Sequence, residues 1–256
     1  MAVAAGLVCG GAGCAQLQQR PTAATTPNVN AEIAQVEQRT TPIQAPIMLR
    51  VRPQGPVVLH RETTLHTGRK SVDASMQMSV SLVEAGESIR FEGNITRMTA
   101  AGTEVSCGTQ PLLGLRVDVD RRWNARREWV DHTHGCAASE QQQTGDNEFA
   151  TFILPSDGVA TGDSLRRVRY VSPGESPAGD VRGIVAGMAD WHGHSVVVLR
   201  LTGCTRAEVE KAPVSLCPHG VALIDIGSGL PIGALETVSA NANGRPITIT
   251  TRVYPS

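Results

Sequence analysis

Between positions 72 and 82 the chain reads VDASMQMSVSL. Val72, Ala74, Met76, Met78, Val80 and Leu82 alternate with Asp73, Ser75, Gln77, Ser79 and Ser81, so one face is apolar and the other wet. A period of two sustained over the whole stretch predicts a strand of an antiparallel sheet with one side covered. The turn EAGES follows. Ile89, Phe91 and Ile95 then alternate with Arg90, Glu92, Asn94 and Thr96, which predicts the return strand of a hairpin. Near the C-terminus ALETVSA and ITITTRVY flank NANG, whose Asn243-Gly244 supplies the positive φ angles of a tight hairpin turn. Further strands are expected in VVLHRETTLH, LLGLRVDVD, EFATFILP, SLRRVRYV, GIVAGMA and SVVVLRL. Helical character is confined to TRAEVEKA (Thr205 to Ala212), one short helix at most, and an amphipathic turn in AEIAQV (Ala31 to Val36). The pattern predicts an all-β protein of about ten to twelve strands, an antiparallel sandwich or a curved half-barrel.

A chain of 256 residues has room for one large β domain or two small ones. Hydrophobic residues make up 41% of it but aromatics only 3%, so Val, Ile, Leu, Ala and Met must fill the interior. Three Trp, two Tyr and three Phe do not suffice for a deep aromatic pocket for sugars, nucleobases or flavins. A net charge of -1 gives no global bias toward a polyanion, and no nucleic-acid partner is expected.

The opening residues MAVAAGLVCGGAGCA are small and apolar and give way to QLQQRPTAATTPNVN. That profile predicts the apolar core of a secretory signal followed by a flexible start. Gly11-Ala12-Gly13-Cys14 resembles the lipobox of bacterial lipoproteins. The resemblance implies a signal peptide over residues 1–14, lipidation of Cys14 and attachment to an envelope membrane through that lipid. Ordinary cleavage after Ala15 is the competing route of export. Residues 15–46 are rich in Gln, Thr, Pro, Ala and Asn, which predicts a flexible tether. It would lead to an antiparallel β domain over residues 47–256, with residues 172–180 (SPGESPAGD) as the place where two subdomains would meet. LPSDGVATGDSL (Leu154 to Leu165) and ALIDIGSGLPIGALETVSA (Ala222 to Ala240) are similar to turns in uncharacterised bacterial envelope β proteins. That likeness implies an envelope β domain and carries no activity with it.

Apart from Cys9 and Cys14 there are four cysteines, Cys107, Cys136, Cys204 and Cys217. The local pairing, Cys107 with Cys136 and Cys204 with Cys217, closes short loops and suits an oxidising compartment. Free thiols or metal ligation are the alternatives.

Two stretches carry metal-ligating residue types at alternate positions. In extended chain residues i and i+2 share a side. Asp190, His192 and His194 of DWHGH would then converge, as would His132, His134 and Cys136 of DHTHGC. Such donors suit zinc, or copper where nitrogen predominates. The competing expectation for DWHGH is a hairpin tip, because Gly193 lies between apolar strands and a turn there breaks the alternation. In DRRWNARREW, residues 120–129, Arg121, Arg122, Arg126 and Arg127 are interleaved with Trp123 and Trp129, a combination that can grip phosphate and stack. The anions at issue are lipopolysaccharide phosphates, anionic lipid or peptidoglycan. A solvated loop with Trp129 in the core is the alternative.

Gly-x-Ser-x-Gly, Walker, Gly-x-Gly-x-x-Gly and His-Glu-x-x-His motifs are missing, so no catalytic residue is assigned. The resulting reading is a non-enzymatic cell-envelope (lipo)protein, on the outer membrane facing the periplasm or secreted. It would act as a binding, carrier or assembly module for an envelope protein, lipid or lipopolysaccharide. The alternative is a metal-binding protein or metal-dependent hydrolase built on His132, His134, His192 and His194. No cofactor beyond zinc or copper is implied.

Overall fold

The computed structural model describes residues 29–68, 70–100, 102–106, 112–125, 131–134, 149–171, 174–209, 212–242 and 245–256. The alternation at 72–82 does form a strand, and it sits in a meander of β1 (Gln54–Thr67), β2 (Lys70–Ala85) and β3 (Ser88–Ala100). β4 (Thr103–Ser106) folds back on the end of β3; β5 (Leu113–Val119) pairs with its beginning, and β6 (Asp131–His134) pairs with β5. A second meander runs through β7 (Phe149–Phe152), β8 (Ser164–Val171), β9 (Gly174–Trp191) and β10 (His194–Thr202). β11 (Thr205–Val209) hairpins onto β12 (Ala212–Asp225), which also pairs with β10. β13 (Pro231–Ala242) and β14 (Arg245–Pro255) follow, and β14 closes on β1, joining the two meanders.

One antiparallel sheet of fourteen strands results, with twelve in the order β6-β5-β3-β2-β1-β14-β13-β12-β10-β9-β8-β7 and β4 and β11 attached to its sides. The edges β6 and β7 do not pair with each other, so the sheet is not a closed barrel. It is nonetheless strongly curled. Phe91 of β3 and Phe149 of β7, near opposite edges, stack with ring centroids 4.1 Å apart. The short strands β4, β6 and β11 carry the count beyond the sequence estimate. Of TRAEVEKA, Thr205–Val209 is strand rather than helix: β11 is held in register against β12, and the neighbouring Cys204–Cys217 disulfide closes that hairpin.

The helix forms elsewhere. Residues 29–46, assigned to the tether by composition, contain α1 (Val29–Gln38) and a strap packed on the sheet. Ile33, Val36 and Ile43 of this segment are core residues. Three apolar side chains, two of them one turn apart on α1, offset the ordering entropy that the polar composition argued against. Glu37 of α1 pairs with Arg200 of β10. By strand alternation Arg200 faces away from Leu199 and Leu201, so α1 lies on the outer surface of the curl. Residues 174–180 belong to β9, which runs on to Trp191.

The strap continues across one end of the curl, through backbone pairings of Ile47 with Val159, Val51 with Arg121 and Arg52 with Ser228. Trp123 is fully buried there and donates its indole N–H to the carbonyl of Gly229 at 2.8 Å. Its ring meets Phe91 and Phe149, so an aromatic cluster plugs this end while loops close over it. Among the described residues the opposite end carries no such plug: Val72, on the apolar side of β2, is 46% exposed.

Candidate functional site

Above the aromatic plug the curled sheet encloses a cavity of about 300 Å³. That is at the low end of the range, roughly 300–1,000 Å³, that small-molecule sites occupy. Its walls arise from the period of two. Leu59 of β1, Met76 and Met78 of β2, Ile95 of β3, and Ile249 and Val253 of β14 all point inward, and Phe149 and Phe152 form the floor. Directly across the ladder, Leu59 pairs with Met78, Arg61 with Met76, and Val253 with Ala234. The face that alternation marked as apolar is therefore partly core and partly the lining of a cavity.

Three charged side chains stand among these apolar ones: Arg61, Arg167 and Glu236. Arg167 and Glu236 form a two-pronged ion pair, with Nη1–Oε1 at 2.9 Å and Nη2–Oε2 at 2.8 Å. Both side chains are only 15% exposed. β8 and β13 are not neighbours in the sheet, so this pair crosses the interior. Arg167 faces inward at the same strand phase as buried Leu165, across the ladder from Phe152, which also lines the cavity. Arg61 differs: among the described residues no carboxylate pairs with it, although it is half-buried in the wall.

DWHGH is a two-residue hairpin turn. Trp191 and His194 are cross-strand partners, and His192 and Gly193 have φ of 49° and 79°, the left-handed conformation such a turn requires. The turn sends the three polar side chains to different partners. Asp190 accepts from the Ser195 hydroxyl at 2.9 Å. His192 lies 3.4 Å from Glu32 of α1, and His194 Nδ1 lies 3.1 Å from Asp225. Asp225 is buried and also takes the backbone N–H and hydroxyl of Ser228 at 2.7 and 2.6 Å, which fastens the β12–β13 turn. His132 and His134 lie on β6, at the other end of the strand order, with their backbones paired to Leu115 and Leu113. Among the described residues no group of three or more His, Cys, Asp or Glu side chains is gathered as a metal site would need.

Cys204 and Cys217 form a disulfide. Cys14, Cys107, Cys136, Arg126, Arg127 and Trp129 lie outside the described residues. Arg121 and Arg122 are exposed on the turn after β5, but Trp123, which follows them, points into the plug and offers no surface for stacking. Sequence reasoning did not single out Arg61, Arg167 or Glu236. For two of them a signal was present: Arg61 follows Val57 and Leu59, and Glu236 lies between Ala234 and Val238, at the apolar phase of their strands. No protein-family model and no curated protein matches this sequence, and the chemistry of the cavity is read from its own residues.

Proposed function

We propose that the chain is a non-enzymatic binding module of the cell envelope that carries an apolar, lipid-like molecule in the cavity of its curled sheet. The observation that carries the reading is the cavity itself, an apolar space of about 300 Å³ floored by Phe149 and Phe152. Met76 and Met78 suit the role, because unbranched thioether side chains repack around guests of differing shape. The Arg167–Glu236 pair neutralises its own charges through Nη1 and Nη2, leaving Arg167 Nε buried without a partner among the described residues, and reads as a structural tie across the curl. Attachment to a membrane through Cys14 belongs to the same proposal and rests on the lipobox-like Gly11-Ala12-Gly13-Cys14.

Titration of the purified chain with a fluorescent fatty-acid analogue tests the cavity. Saturable binding is expected, and Ala234→Phe, which places a ring in the cavity, should weaken it at least about tenfold, or ~1.4 kcal/mol. Circular dichroism checks that the variant keeps its strand content. Absence of binding, or undiminished binding by the folded variant, overturns the reading. For the anchor, labelled palmitate should be incorporated and Cys14→Ser should abolish it; unchanged labelling refutes lipidation there.

A further inference from the structure

Arg61 is the one cavity cation that the protein leaves without a counter-charge among its described residues. Its surroundings make that unusual. On neighbouring strands Arg90 pairs with Asp118, Arg97 with Glu104, Arg116 with Glu92, and Arg252 with Glu62. Glu236, the carboxylate of the same cavity, has both oxygens taken by Arg167. A guanidinium partly withdrawn from water among Leu59, Met76 and Val253 loses hydration that no protein group returns. One step along the same face, Thr63 and Thr251 bring their hydroxyls within 3.4 Å of each other. Arg61 and these two hydroxyls make a small polar patch; Glu236, the cross-strand partner of Thr251, borders it with its carboxylate turned to Arg167. Below it, toward the floor, the lining is Met78, Ile95, Leu115 and Phe149.

From this arrangement, and resting on the carrier reading above, we propose that the ligand is a single-chain amphiphile with an anionic head. Arg61 binds the head and the cavity below takes the tail. A guanidinium presents paired N–H donors that match the two oxygens of a carboxylate or phosphate, and such charge-assisted pairs are the strong ones. Thr63 and Thr251 are placed to donate to a further head-group oxygen. A cavity of about 300 Å³ suits one chain rather than the two of a bilayer phospholipid.

The test is calorimetric titration of the full chain with dodecanoate, dodecyl phosphate and dodecanol, three ligands that share a tail and differ in head. At least one anionic ligand should bind more than about tenfold tighter than the alcohol, and the stronger of the two identifies the head chemistry. Arg61→Met should erase that preference while leaving dodecanol affinity within about twofold, and Arg61→Lys should retain part of it. Equal binding of all three, or an anion preference that survives in Arg61→Met, overturns the head-group assignment and leaves the carrier reading standing. Binding of none overturns both. Should Arg61→Met fail to fold, the comparison of acid with alcohol in the unaltered chain still decides.

Discussion

Asp225 shows how much a single side chain can fasten. One of its oxygens accepts from the backbone and hydroxyl of Ser228, and the other faces His194 across the turn of the next hairpin. Asp225→Ala removes all three and leaves the buried Ser228 N–H and O–H donors without an acceptor, although the hydroxyl oxygen still takes the Leu230 N–H. A loss of roughly 2–3 kcal/mol is expected, against about 1 kcal/mol for Ser228→Ala, read as shifts in urea midpoint at unchanged slope. On the outer surface, Tyr254 donates to Glu62 at 2.7 Å. Burial first, and then the bond to Glu62 and its charge, push the Tyr254 phenol up to about 12 from 10.0. The folded state therefore holds this proton where the unfolded chain has released it. The associated stability is intact below the unfolded pKa and is lost as pH rises through the folded one. Ultraviolet titration of the chain's two tyrosines should show one phenolate appearing only near pH 12, absent in Tyr254→Phe and shifted down in Glu62→Gln. What the sequence could show at this scale was phase. Gly193 announced a turn, and the charges at Arg61 and Glu236 sat at apolar positions. Whether an inward charge meets a partner depends on strands far away in sequence, and no local pattern carries that.

At the scale of elements, alternation served well wherever one strand face is buried and the other wet, as in β2 and the β13–β14 hairpin. It failed where neighbours decide. TRAEVEKA has helical composition, yet β11 is a strand because pairing with β12 and the Cys204–Cys217 bridge outweigh a propensity of a few tenths of a kcal/mol per residue. The opposite error occurred at residues 29–46, whose polar composition concealed the three apolar residues that dock α1 and its strap. The disulfide joins positions 13 apart and so restrains a short loop. A closure of that size contributes about 3 kcal/mol in the chain-entropy account. Reduction, or replacement of both cysteines by alanine, should lower stability by that order. An unchanged urea midpoint under reducing conditions would show the β11–β12 hairpin to be held by its backbone ladder alone.

At the scale of the whole molecule, the feature hidden from sequence is the curl. Strand faces can be read from periodicity, but the radius to which fourteen strands bend depends on what crosses the interior. Among the described residues two things cross it: the Phe91–Phe149 stack at the plugged end and the Arg167–Glu236 pair higher up. The second differs from the first in kind, because a buried ion pair gains little over a well-packed apolar pair while a broken one leaves an uncompensated charge. Glu236→Ala should therefore cost about 3–5 kcal/mol, as should Arg167→Ala. The double replacement Arg167→Met with Glu236→Leu should recover most of that loss, since it removes both charges and keeps the volume. A double-mutant cycle in urea measures the coupling. If the double variant is stable but no longer binds the fluorescent fatty-acid analogue, the ion pair sets the width of the cavity. If it is stable and still binds, the aromatic plug and the strap hold the sheet in its curl, and Arg167 and Glu236 only neutralise each other's charge.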